Sequence, residues 1–370
     1  MKILVLTSST GGGHDIRANA LRKWAEPRGH VVKILRPLEN GSRLYRAGTG
    51  LYNLIQKTLP ALHGFYFSFL EKASMHRMPS LILGARKFSA TVRSIEPDLV
   101  VSVHAHLNHG YFELVRRALP ASPPAFVVYC GELADGPGFS RHWINPAVDL
   151  FAGPVEETCE AARKRGMAAD KVFCAGLLLR PPFFHKPKPG EDAALLRDKW
   201  DLDANRPLLV LGTGANGVNR HFSVVLSTQS SAREAQIVAL CGNNAKTLRW
   251  LENFGEHPRV RLRALPTLPA EELAPLLRSA TFLYARPGAG TTSEAVACGV
   301  PMLFDVSRGI MPQEHNNLNF WEKRTGQLPL ASSPQVVPMQ IHEPPRPVPY
   351  SEEETPLRFL DKLEELVASR

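Results

Sequence analysis

The chain has 370 residues, 44% of them hydrophobic and 21% charged, with a formal net charge of +9. That length suits two domains of comparable size, and the composition excludes a disordered, collagen-like or disulfide-dense chain. The charge is uneven: residues 1–190 hold 25 Lys and Arg against 14 Asp and Glu (+11), and the remainder sums to −2, so the first half suits an anionic partner.

The start, Lys2–Thr7, is an apolar run too short for a secretory leader and reads as a buried first strand. Ile16–Glu26 has helical spacing and Val31–Leu35 is a second strand. Phe88–Ile95 is helical, and Pro97-Asp98 precede the strand Leu99–Val103. Tyr111–Ala118 is helical, Ala125–Tyr129 a strand, Leu150–Ala152 a short strand, Val155–Lys164 helical and Val172–Ala175 a short strand. Strands alternating with helices predict a doubly wound parallel sheet. The proline-rich stretch Arg180–Gly190 is a stiff linker.

The pattern then restarts. Strands are predicted at Leu208–Leu211, Gln236–Cys241, Val260–Leu262, Thr281–Tyr284 and Val300–Phe304. Helices are predicted at Phe222–Thr228, Ala245–Phe254, Ala270–Ser279 and Ser293–Cys298. Gln327–Pro349 reads as a loop. Ser351–Arg370 reads as a closing helix with Glu352, Glu353 and Glu354 in its first turn and a Leu stripe, expected to return to the first domain. The expected boundaries are 1–180, a linker at 181–190, 191–350 and the helix 351–370. Two Rossmann-like domains facing a cleft follow, with ligands at the carboxyl ends of the strands.

Five cysteines lie far apart with no C-x-x-C pair. The spacing predicts reduced thiols of a cytoplasmic protein, and neither disulfides nor a structural zinc. No stretch reaches the roughly 18 apolar residues of a membrane-spanning helix. Residues 43–88 interleave aromatics (Tyr45, Tyr52, Phe65, Tyr66, Phe67, Phe69) with cations around one acid, Glu71. An interfacial segment on an anionic membrane fits that composition, as does a groove for acyl chains. A nucleic-acid partner is not expected, because no nucleic-acid motif accompanies it.

Four motifs carry chemistry. Thr7–His14 runs from the first strand to a helix, and its glycines Gly11, Gly12 and Gly13 allow close backbone approach. His14 stands there as a general base or as a capping histidine. Tyr284–Glu294 follows a strand and opens a helix. The glycines Gly288 and Gly290 and the N–H groups of Thr291, Thr292 and Ser293 suit a diphosphate, Arg286 adds charge-assisted contacts, and Glu294 suits a ribose. Gln313, Glu314 and Asn316 can read a sugar's hydroxyls. Gly212, Thr213 and Gly214 follow the first strand of the second domain and face the same ligand.

Thr10–His14, the strand and glycine loop 208–217, Arg286–Glu294, Gly299-Val300-Pro301 and Gln313–Asn316 together resemble the monogalactosyldiacylglycerol synthase family. More distantly they resemble the transferase that adds N-acetylglucosamine to the peptidoglycan lipid precursor. The resemblance implies a GT-B fold and a hexosyltransferase that moves sugar from a UDP-sugar to a lipid acceptor such as diacylglycerol, with inversion. It implies no cofactor and no required metal; the basic aromatic segment 43–88 and the reduced thiols suit a cytoplasmic protein held peripherally on the inner face of the cell membrane. It puts His14 at the acceptor site with Gly12, Gly13 and His104, and has Leu265 offer its backbone to uracil. Relatives carry Thr-Asp after the fourth strand, where this chain has Cys130-Gly131, so Glu132 or Asp135 supplies the carboxylate, or neither does. Other readings are a UDP-sugar transferase with a different acceptor, a UDP-sugar 2-epimerase, and a non-catalytic nucleotide- or lipid-binding relative.

Overall fold

A computed structural model describes every residue except 10–12, 43–46, 49, 51–76, 214–219, 232 and 351–354. The chain divides into two units. One comprises Met1–Pro181, Met311–Asn316 and Ser351–Arg370, the other Pro182–Ile310 and Asn317–Tyr350. Each is built on a six-stranded, wholly parallel sheet.

The first sheet uses β1 (Lys2–Leu6), β2 (Val31–Leu35), β3 (Leu99–Ser102), β4 (Ala125–Tyr129), β5 (Leu150–Gly153) and β6 (Val172–Cys174), in the order β2-β1-β3-β4-β5-β6. Its inner strands are apolar on both faces because helices cover both. Leu4, Leu6, Val100, Phe126 and Val128 pack on one side, and Ile3, Val5, Val101, Val127 and Tyr129 on the other. The second face is completed by the helix Pro356–Ala368, whose Phe359, Leu360 and Leu363 are fully buried. That helix starts at Pro356 after Thr355. The expected acidic first turn is therefore not its first turn, and Glu352–Glu354 lie outside the described residues.

The second sheet uses β7 (Leu208–Leu211), β8 (Ala235–Leu240), β9 (Val260–Leu265), β10 (Phe282–Ala285), β11 (Met302–Asp305) and β12 (Leu330–Ala331), in the order β12-β11-β10-β7-β8-β9. The two-residue β12 lies in a stretch expected to be loop. It exists because it extends the edge of β11, pairing Phe304 with Leu330. The linker contains a short turn of helix at Pro181–Phe184.

Each order changes direction once, at β1/β3 and at β7/β10, and such switch points are where doubly wound sheets hold ligands. The loops after β1, β3 and β4 are thus neighbours in one unit, and those after β7, β10 and β11 are neighbours in the other. Among the described residues no helix is long and apolar enough to cross a membrane. Most of the aromatic–basic stretch 43–88 lies outside the described residues, as do Gly12 and Gly214.

Candidate active site

The helix after β1 spans Gly13–Ala25 and begins three residues before the position its spacing suggested. His14 is therefore in its first turn. The loop leading in is held by carboxylates: Glu39 accepts from Ser8 Oγ (2.7 Å) and the Ser9 N–H (2.6 Å), while Asp15 accepts from Thr7, Ser9 and Arg36.

His14 Nδ1 lies 2.7 Å from the carbonyl oxygen of Val103. A carbonyl only accepts, so Nδ1 carries the proton and Nε2 keeps its lone pair. Burial, then the Arg17 charge, lowers the His14 pKa to about 4, so the ring is neutral at pH 7. The His104 ring stands 4.4 Å from it, edge to face. His104 is buried, and its Nδ1 accepts from the His106 N–H at 3.3 Å.

The loop after β4 brings in Glu132. Burial raises its pKa to about 7, opposed by the Arg17 charge and a hydrogen bond from Trp143. One carboxylate oxygen, Oε2, is buried with no partner. The backbone carbonyl of Glu132 accepts from Thr158 Oγ1 at 2.5 Å. Asp135 is exposed and ion-paired to Arg165. Of the two carboxylates, Glu132 therefore shares Arg17 and Trp143 with His14, whose ring centroid is 6.2 Å from that of Trp143.

Arg17 was not anticipated, although it sits three residues after His14 on the same helical face. Its Nη2 donates to the Gly131 carbonyl at 2.8 Å. A Cβ on Gly131 would fall 2.1 Å from the guanidinium carbon. The guanidinium thus fills the space that a side chain at 131 would need. Trp143 was also missed. Its role depends on a turn far along the β4–β5 connection, which carries no local signal.

In the other unit, Gly212 follows β7. Its N–H donates to Tyr284 O at 2.8 Å, and a Cβ would lie 2.9 Å from Ala285 Cβ. This glycine is required by strand packing. Thr213 lies beside Gly242, whose added Cβ would come within 3.1 Å of its methyl. Leu265 ends β9, and its carbonyl already accepts from the Cys241 N–H at 2.7 Å, leaving one lone pair for another donor.

The helix after β10 spans Ala289–Cys298 with Gly288 as its N-cap, so it starts earlier than expected. The unspent N–H groups are those of Ala289, Gly290 and Thr291. Thr292 N–H is not among them, because it donates to Gly288 O at 2.9 Å, and Ser293 lies deeper in the helix still. A Cβ on Gly288 or Gly290 would meet nothing within 4 Å. Protein packing does not require these glycines, which border open space. Arg286 donates to the Gly309 carbonyl at 3.0 Å, and Glu294 is half-buried one turn into the helix.

Glu314, Gln313 and Asn316 begin the helix Pro312–Thr325. Glu314 Oε2 accepts from the Met311 N–H at 2.8 Å, half of a capping box, so part of its carboxylate does structural work. Gln313 Oε1 and both amide atoms of the fully buried Asn316 have no hydrogen-bond partner. Buried amides seldom go unsatisfied, and Asn316 Oδ1 occupies the space that a Cβ on Gly136 would take.

No protein-family model matches the chain. It is 23% identical over 325 residues to monogalactosyldiacylglycerol synthase 3, chloroplastic, of Arabidopsis thaliana, covering 82% of this chain but 66% of that protein. It is 24% identical over 334 residues to the processive diacylglycerol beta-glucosyltransferase of Bacillus licheniformis, covering 87% of this chain and 81% of the relative. Its fold matches the crystal structure of Arabidopsis thaliana UGT89C1 complexed with UDP-L-rhamnose, with a TM-score of 0.60, 12% identity, and coverage of 100% and 98%. The resemblance carried by the motifs is borne out over most of the chain: this is a GT-B fold, similar to the monogalactosyldiacylglycerol synthases and the processive diacylglycerol beta-glucosyltransferases.

Proposed function

We propose that the chain is a hexosyltransferase that moves a sugar from a UDP-sugar to the hydroxyl of a lipid acceptor such as diacylglycerol, inverting the anomeric carbon. The observation that carries this reading is His14, a neutral imidazole whose proton is pinned on Nδ1 by Val103, leaving Nε2 as the base.

In this mechanism the acceptor hydroxyl, beside Gly12, Gly13 and His104, gives its proton to His14 Nε2 as its oxygen attacks the anomeric carbon. The bond from that carbon to the diphosphate oxygen breaks, and UDP leaves. The imidazolium forms in a buried site next to Arg17, and ionised Glu132 offsets its charge. The diphosphate rests on the N–H groups of Ala289, Gly290 and Thr291, with Arg286 supplying positive charge. Those groups meet the leaving group's charge, so the step as drawn needs no metal. Glu294 holds the ribose, Leu265 the uracil, Gly212 and Thr213 border the phosphates, and Gln313, Glu314 and Asn316 read the sugar. The basic first half brings the protein to an anionic membrane, as a peripheral protein at the inner face of the cell membrane.

A screen of UDP-glucose, UDP-galactose and UDP-N-acetylglucosamine with a lipid extract, read by product mass, tests the proposal. A glycosylated lipid from one donor supports it. Donor turnover without any glycosylated product contradicts it.

A further inference from the structure

The cysteines, scattered in sequence, do not stay scattered in the fold. Cys159 lies on the helix Glu156–Lys164 and Cys174 ends the edge strand β6. Cys174 is in register with Gly153 of β5. A Cβ on Gly153 would come 3.0 Å from Cys159 Sγ, so that thiol occupies the space left by the missing side chain, next to Cys174. Glu156, three residues before Cys159, shares its helical face. The two Sγ atoms and a Glu156 carboxylate oxygen all lie within 4.8 Å of one another.

We propose that Cys159, Cys174 and Glu156 form a binding site for a thiophilic divalent cation of the Zn2+ kind, separate from the transfer chemistry. Two thiolates and a carboxylate are a donor set such ions take, with a water as fourth ligand. Sulfurs sharing one tetrahedral Zn2+ stand about 3.8 Å apart, so closure needs shifts of an ångström or less. The two thiols already face each other through a side-chain hydrogen bond, and Cys159 Sγ also makes a weak bond to Phe173 O at 3.5 Å; both are bonds of a thiol, a poor donor. Cys174 is half-buried on an edge strand and Glu156 is exposed, which gives the ion a way in. Binding displaces two thiol protons to solvent. The three anionic ligands and the dication sum to −1, and the Arg163 guanidinium, ion-paired to Glu156, neutralises the remainder. The ion would tie the helix to β6, next to the bond from Thr158 to the Glu132 carbonyl.

The full chain, stripped with a chelator, is titrated with Co2+ alone and followed by thiolate-to-cobalt charge-transfer absorption. Saturation at one Co2+ per chain, with displacement by Zn2+, is expected. Cys174→Ser, at a half-buried position, should abolish the band, whereas Cys298→Ser should leave it intact. Glu156→Gln, at an exposed position where folding is not at stake, should weaken Co2+ binding at least about tenfold. No thiolate band in the wild-type chain, a band that survives Cys174→Ser, or unchanged affinity in Glu156→Gln would overturn the site.

Discussion

His14 owes its chemistry to one bond and one neighbour: Val103 fixes its tautomer, and Arg17 with burial keeps it unprotonated. Replacing His14 by Ala should lower turnover by roughly two to four orders of magnitude while UDP affinity, measured calorimetrically, stays within about twofold of wild type. Glu132 should reveal itself in the pH profile. With its pKa near 7, kcat/KM should decline as pH falls through neutrality, and Glu132→Gln should flatten that limb and lower the plateau. An acid limb unchanged in Glu132→Gln would remove it from the mechanism. His14 was legible in the sequence because it follows a glycine turn at a strand end. Arg17 was not, because a buried arginine is explained by the Gly131 carbonyl, which arrives on the loop after β4, more than a hundred residues away.

Helix starts decide what the glycine motifs can do. The helix Ala289–Cys298 begins on the glycines themselves, which moves the anion-binding N–H groups to Ala289–Thr291. Gly288 and Gly290 border open space. Gly290→Ala should leave stability unchanged or raise it by up to about 1 kcal/mol, yet weaken UDP binding in the same sample. Gly131→Ala should do the reverse. Its Cβ collides with Arg17, at about 1–3 kcal/mol of stability, with donor affinity kept; chemical denaturation and titration calorimetry together separate the two. A Gly290→Ala variant that binds UDP normally would remove that glycine from the donor cradle. The position of this motif after a strand was readable from spacing. Its first helical residue was not, because glycines obscure where a helix begins.

At the scale of the molecule, eleven of the twelve strands among the described residues were legible as apolar runs between turn residues, since strands buried on both faces need continuous apolar sequence. The twelfth, β12, is two residues long and exists only as an addition to β11. Burial also sets the response to acid. His14, His109 and His221 are each lowered from 6.5 to about 4 in the fold. The unfolded chain therefore binds protons first, and their contribution to stability is lost as pH falls from 6.5 toward 4. Glu132, raised from 4.5 to about 7, acts the other way, favouring the fold as pH falls through 7 toward 4.5. Three groups against one predict a melting temperature that drops between pH 6.5 and 4, checked by calorimetry. The basic first half predicts co-sedimentation with anionic vesicles at low salt and release at high salt. Absence of binding at low salt would contradict a peripheral membrane role.

The central claim is that donor cleavage is coupled to a lipid hydroxyl through His14. The most direct measurement is UDP release by the purified chain, with the productive UDP-sugar, in the presence and absence of diacylglycerol vesicles, for wild type and His14→Ala. The account predicts release that depends on the vesicles, matches glycolipid formed one for one, and nearly vanishes in His14→Ala. Release that proceeds equally without acceptor, or that persists at the wild-type rate in His14→Ala, would contradict it.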